Sequence, residues 1–143
     1  MKRFLLLLTV LGFSWSLAQE REPEEAEEPA PEALSHELEK IRAYVSKRIY
    51  VTGQVVETSR NQGGFEFLHF DGDRSFLVVI SPDDVPKFGQ GGPIARYQGE
   101  WIRFYGEVER FADSLQIRIT SPEQVKIATE ASASRLTERE GSQ

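Results

Sequence analysis

The chain has 143 residues, no cysteine, two histidines and a formal charge of −6 at pH 7. That length allows one modest domain, and the missing cysteines exclude disulfide staples and thiolate metal sites. The acidity is local: from Glu20 to Glu39 nine glutamates face Arg21 alone, whereas from Lys40 to Glu130 twelve Lys and Arg balance twelve Asp and Glu, which excludes a strongly positive folded part.

At the N-terminus, Lys2-Arg3 precedes an apolar run from Phe4 to Phe13, and Ser16-Leu17-Ala18 is a small-x-small exit before Gln19. This layout predicts a secretory signal peptide over residues 1–18. The run is shorter than the ~20 apolar residues of a membrane anchor, and no cysteine stands at the exit to carry a lipid. The protein is expected to be exported, periplasmic or secreted, with no membrane contact after cleavage. Residues 19–33 are rich in Glu, Pro and Ala without apolar periodicity, which predicts a disordered, self-repelling linker.

Ser35 to Lys47 predicts an amphipathic helix. Ser35 is the candidate N-cap, acids follow it, and Leu34, Leu38, Ile41 and Val45 form one apolar stripe. That stripe needs a sheet to cover. Five strands follow over Ile49–Val56, Gly64–Phe70, Phe76–Ile80, Trp101–Val108 and Leu115–Ile119. Gly53 and Gly106 sit inside the first and the fourth, as residues do where a small sheet bends on itself. Ser81-Pro82-Asp83-Asp84 predicts a helix start that Pro86 and Gly89 cut to a turn or two, and Gln90-Gly91-Gly92-Pro93 reads as a loop. Residues 129–143 are polar and small, and predict a frayed, flexible tail. The expected domain therefore spans 34–128.

These strands, with Tyr50-Val51-Thr52-Gly53-Gln54-Val55-Val56, Gly64-Phe65-Glu66-Phe67-Leu68-His69-Phe70, Phe76-Leu77-Val78-Val79-Ile80-Ser81-Pro82, Gln98-Gly99-Glu100-Trp101-Ile102-Arg103-Phe104-Tyr105-Gly106-Glu107-Val108 and Ile117-Arg118-Ile119, resemble a small bacterial OB-fold domain. The likeness is to nucleic-acid-binding OB modules of the anticodon-binding and replication-factor sort found in secreted proteins. It implies an all-β, five-stranded OB-fold barrel, here with an N-terminal amphipathic helix. Such domains usually plug the barrel between the third and fourth strands. That connection is broken by Pro and Gly here, so the Ser35–Lys47 helix is expected to cover part of the barrel instead.

The resemblance also implies a ligand face on the outer side of the first three strands. Strand parity separates Glu66, Leu68 and Phe70 from Phe65, Phe67 and His69. The inward set matches barrel positions, so Phe67 becomes the stacking candidate and His69 a polar reader, flanked by Tyr50, Thr52 and Leu77. Phe67 packed under the helix or a loop satisfies the same parity, and His69 as a neutral surface residue is the plain alternative. On the fourth strand, Ile102, Phe104 and Val108 read as core, with Trp101, Arg103 and Tyr105 facing out. Trp101 or Tyr105 is a further stacking candidate and Arg103 a contact for a phosphate or a neighbouring carboxylate, with an ordinary cross-strand packing row as the plainer reading.

An enzyme is not expected. His36 and His69 have no zinc-ligand spacing, no Gly-x-Ser-x-Gly elbow exists, and Gly89-Gln90-Gly91-Gly92 lacks the Lys of a phosphate loop. Asp71-Gly72-Asp73 is a hairpin turn before it is a calcium site. The reading is an exported, non-catalytic binding module without metal or cofactor, with single-stranded nucleic acid as a weak, salt-sensitive partner. The alternative is an envelope protein or an oligosaccharide.

Overall fold

The computed structural model describes residues 29–71 and 74–141; the expected signal peptide, most of the acidic linker and part of the Asp71-Gly72-Asp73 turn lie outside that range. In chain order the elements are β1 (Glu32–Leu34), α1 (Leu38–Arg42), β2 (Arg48–Arg60), β3 (Glu66–Phe70), β4 (Phe76–Ile80), α2 (Gly92–Tyr97), β5 (Trp101–Phe111), β6 (Ser114–Arg118), β7 (Val125–Ile127) and α3 (Glu130–Gly141), with short 3-10 turns at Val85–Phe88 and Pro122–Gln124.

β2 is long enough to serve two partners. Its first half pairs antiparallel with β5 and its second half with β3. β3 then pairs with β4, β4 runs parallel to β6, and β6 returns antiparallel to β5. The five strands close in the order β2-β3-β4-β6-β5-β2, which is the OB-fold barrel. β1 adds a parallel strand to β2 and β7 an antiparallel one to β5, widening one side of the barrel.

The bends fall where small side chains permit them. A Cβ on Gly53 would lie 2.1 Å from the Ser35 hydroxyl oxygen and 2.9 Å from the Phe70 ring, and one on Gly106 would lie 2.5 Å from an Ile117 methyl. The register of β2 against β3 steps from Val55↔Phe70 to Glu57↔His69, so Val56 is a bulge residue and points out. Bulges and glycines of this kind let a narrow sheet curl into a closed wall.

Alternation fills the interior. Val51, Val55, Leu68, Phe70, Val78, Ile80, Ile102, Phe104, Val108 and Ile117 are all buried in one core. Phe70, Phe76 and Phe104 stack within it, with ring centroids 5.4–6.2 Å apart. Each such side chain contributes roughly 1.5–3 kcal/mol by leaving water. At one end the Glu66 carboxylate is fully buried. It is paired with Arg60 and accepts the Ile94 N–H at 3.0 Å, which fastens the start of α2 to β3. Gly92, at φ 71°, makes that approach possible, since a Cβ there would meet Val85 at 2.9 Å.

Four expectations need correction. The β4–β5 connection does carry a plug: Phe88 from the 3-10 turn and Tyr97 from α2 enter the core edge to face, 6.0 Å apart. The N-terminal helix is Leu38–Arg42 rather than Ser35–Lys47. Leu34 belongs to β1, Ser35 is buried against Gly53 and caps nothing, and Ser46 takes a left-handed φ of 73° that ends the segment. Leu38, Ile41, Tyr44 and Val45 still pack on the core, so this segment covers the barrel as expected. Glu32 and Ala33, assigned to the linker, are strand residues. The expected C-terminal tail contains a 12-residue helix, α3, started by Thr129, whose hydroxyl accepts the Ser132 N–H at 3.2 Å.

Candidate functional site

The seven candidate residues divide between two outer surfaces. Phe67, His69 and Leu77 lie on the β3–β4 side. Their neighbours are fixed by register: Ser59↔Phe67↔Val79 forms one row and Glu57↔His69↔Leu77 the next, continued on β6 by Arg118 and Gln116. Phe67, His69 and Leu77 are half-buried, and Val79 and Gln116 are buried. Parity is therefore as read from the sequence, with Glu66, Leu68 and Phe70 inside.

Several polar groups of this surface are engaged with one another. The His69 Nε2 lies 3.1 Å from the Ser59 hydroxyl, and its Nδ1 is buried without a partner. Burial, with Arg74 adding to it and Glu57 opposing, holds the His69 pKa below its ordinary value, so the ring is neutral at pH 7. Arg74 pairs with Glu57, and the Arg118 guanidinium stands 3.9 Å from Glu109. Phe111, at the β5–β6 hairpin, is 66% exposed and borders this side.

Tyr50, Thr52, Trp101 and Arg103 lie on the other surface, made by β1, β2, β5 and β7. Tyr50 is paired across strands with Tyr105, Thr52 with Arg103, and Arg103 in turn with Lys126. The Arg103 guanidinium sits 3.7 Å over the Tyr50 ring and pairs with Glu32 of β1. The Tyr50 and Tyr105 rings are 4.6 Å apart and tilted by 40°. This is a cation on an aromatic ladder, an arrangement held by ring quadrupoles as well as by charge.

Two hollows flank this ladder, and α3 closes the first of them. A cleft of about 520 Å³ is lined by Glu32, Thr52, Arg103, Arg135, Leu136, Glu138 and Arg139, so two carboxylates stand among its three guanidinium groups. A second of about 290 Å³ also borders Arg103, with Tyr50, Tyr105, Glu123, Gln124 and Lys126 in its wall. Among the described residues Arg139 and Lys126 have no carboxylate partner, and Arg135 donates only to a carbonyl of its own helix, that of Ala131 (3.3 Å). Thr52 is 2% exposed and forms floor, not a contact for a guest. Trp101 is half-buried and lines a smaller hollow with Leu34, Ser35, Ala133 and Thr137.

The sequence reading missed Arg135 and Arg139 because it ended the domain before them. The signal was present in Thr129 as a cap, with Ala133 and Leu136 three residues apart. Among the described residues, no three His, Asp or Glu side chains converge as metal ligands.

No protein-family model and no curated protein matches the chain. Many solved chains are similar to it, among them these two. One is the S. pombe Stn1-ten1 complex, at 14% identity and a TM-score of 0.49 over 65% of this chain and 66% of that one. The other is described as an aspartyl-tRNA synthetase from Leishmania major Friedlin, at 12% identity and a TM-score of 0.44 over 73% of this chain and 22% of that one. The matched region is thus just under two thirds of the first protein's chain and under a quarter of the second's.

Proposed function

We propose that this protein is an exported, non-catalytic OB-fold binding module that holds short single-stranded nucleic acid weakly, on the β2–β5–β7 surface. The observation that carries the reading is the Arg103–Tyr50–Tyr105 ladder standing between two hollows. A base can stack on the exposed part of Tyr105 or on the guanidinium plane. A neighbouring phosphate then meets Arg135 and Arg139 on one side or Lys126 on the other. Base–aromatic stacking supplies about 1–3 kcal/mol per base and is indifferent to sequence. With about three phosphates neutralised on a single strand, affinity falls roughly tenfold to twentyfold between 50 and 200 mM salt. Export rests on Lys2-Arg3, the Phe4–Phe13 run and Ser16-Leu17-Ala18, and is tested by finding Gln19 as the first residue of the protein recovered from the cell envelope or medium.

The test is fluorescence anisotropy of labelled single-stranded oligonucleotides at about 50 mM salt. Binding that Arg103→Ala and Tyr50→Ala each weaken supports the reading. Binding lost through Phe67→Ala alone moves the site to the other surface, and absence of binding removes nucleic acid as the ligand.

A second reading is favoured by the β3–β4 surface. There Phe67, Leu77 and exposed Phe111 stand beside the Arg74–Glu57 pair with little unpaired positive charge, which suits an envelope protein or an oligosaccharide. Pull-down from envelope extract with the protein and its Phe67→Ala variant separates it from the first.

A further inference from the structure

We infer that α3 is a lid on the arginine cleft: it undocks from the barrel about a pivot after Ala128, and an anionic ligand lying in the cleft holds it shut. This deepens the proposed function and rests on its reading of that cleft as an anion site; the two can fail separately in the test below.

Three observations lead to it. The first is packing. Among the described side chains of α3, Ala133 alone is buried, Ser132 and Leu136 are half-buried and the rest are exposed. Three hollows, of about 520, 200 and 160 Å³, each have residues of both α3 and β1 in their walls. Close-packed protein joints hold few voids larger than a water molecule, so α3 touches the sheet at points rather than along a seam. The second is bonding. Ser134, Arg135 and Thr137 donate to carbonyls of their own helix, those of Glu130, Ala131 and Ala133, at 3.2–3.3 Å. These bonds support the helix without fastening it to the barrel. The third is the joint. The Ala128 N–H donates to the Trp101 carbonyl at 2.7 Å, which ties the end of β7 to β5, and Thr129 then starts the helix with its own cap. The pivot is the step between those two residues.

A helix of this length is marginal in water by itself, and one buried alanine with one half-buried leucine adds little to its docked state. Opening of so lightly held a terminal element lies at the low end of local stabilities, and an open fraction on the order of 10% follows. The movement changes the cleft. Arg135, Glu138 and Arg139 ride on α3, whereas Glu32 and Arg103 belong to the barrel. Three guanidinium groups against two carboxylates leave one positive charge, and Glu32 already pairs with Arg103. The cleft's own groups therefore draw the helix in weakly. A polyanion that spans the fixed arginine and the two moving ones binds the closed form better and shifts the population toward it.

Distances between two nitroxides test this. The chain has no cysteine, so Thr137→Cys on α3 and Glu107→Cys on β5, both exposed positions, give the only two attachment points. Residue 137 lies about 12 Å along the helix from Thr129, far enough for opening to lengthen the distance measurably. The free protein should show a main short distance and a minor longer one. Tripolyphosphate, or a short single-stranded oligonucleotide, at about 50 mM salt should remove the longer one. Leu136→Ala in the labelled protein should raise the longer component about threefold, and lower oligonucleotide affinity only in proportion to the closed fraction lost. A single short distance with and without Leu136→Ala overturns the lid. A longer component that bound oligonucleotide leaves unchanged also overturns it, with the proposed function still standing. Closure by tripolyphosphate in a protein that binds no oligonucleotide keeps the lid and discards nucleic acid as the ligand.

Discussion

On the β3–β4 side of the barrel, Arg74 is matched to Glu57, Arg118 lies near Glu109, and His69 is joined to Ser59. On the β2–β5–β7 side, Arg103 is matched to Glu32 and stacked on Tyr50, while Lys126, Arg135 and Arg139 beside it have no carboxylate ion pair among the described residues, although Glu123 and Glu138 line the same hollows. The two surfaces come from one strand parity and one set of bends. The first pairs Arg74 with Glu57 and His69 with Ser59 within its own plane. The second gains cations from β7 and α3 that its own plane does not neutralise. Aromatic exposure alone therefore does not mark a ligand surface; the charges left over around the ring decide between packing and binding.

The largest effect is expected where both surfaces depend on one contact. Gly53→Val must displace Ser35 and the Phe70 ring, and should cost about 2–3 kcal/mol in urea denaturation, with both surfaces lost together. An unchanged melt would show that the close approach at Gly53 does not hold the barrel. Next comes the contrast between surfaces. Arg103→Ala should weaken oligonucleotide binding about tenfold, near 1.4 kcal/mol, while Phe67→Ala stays within about twofold. Equal losses would erase the distinction between them. Arg139→Ala should weaken binding only about threefold and lower the log–log salt slope by about 0.7, as one phosphate contact does on a single strand.

The smallest effect belongs to His69. Its folded pKa lies below the ordinary value of 6.5, so the unfolded chain binds the proton more readily. Its neutral form therefore adds stability that is fully present above about pH 6.5 and declines as pH falls toward the folded pKa. His69→Gln should flatten that acid-side decline slightly in melts between about pH 5 and 7. An unaltered slope would show that the buried Nδ1 does not resist protonation.

Strand parity was legible because period-two alternation is written into each strand. Glu66, Leu68 and Phe70 face in and Phe67 and His69 face out for that reason alone. Gly53 and Gly106 also announced the bends, since glycine has little other use inside a strand. β1 was not legible. Glu32-Ala33-Leu34 has no strand signal of its own and is recruited by the β2 edge, where the Ser35 N–H donates to Thr52 and the Tyr50 N–H to Pro31. α2 was hidden by Gly91 and Gly92, whose positive φ values are what a tight entry into that helix requires. Thr52 was read as a flank of the ligand face because parity reports which side a residue faces, not how deeply it is buried, and Thr52 is buried.

The most direct test is amide chemical-shift mapping of the protein titrated with a short single-stranded oligonucleotide at low salt. Perturbations should cluster on Tyr50, Arg103, Tyr105, Lys126 and Arg135 to Arg139. A cluster centred on Phe67, His69 and Leu77 instead, with the arginine cleft silent, would contradict the account.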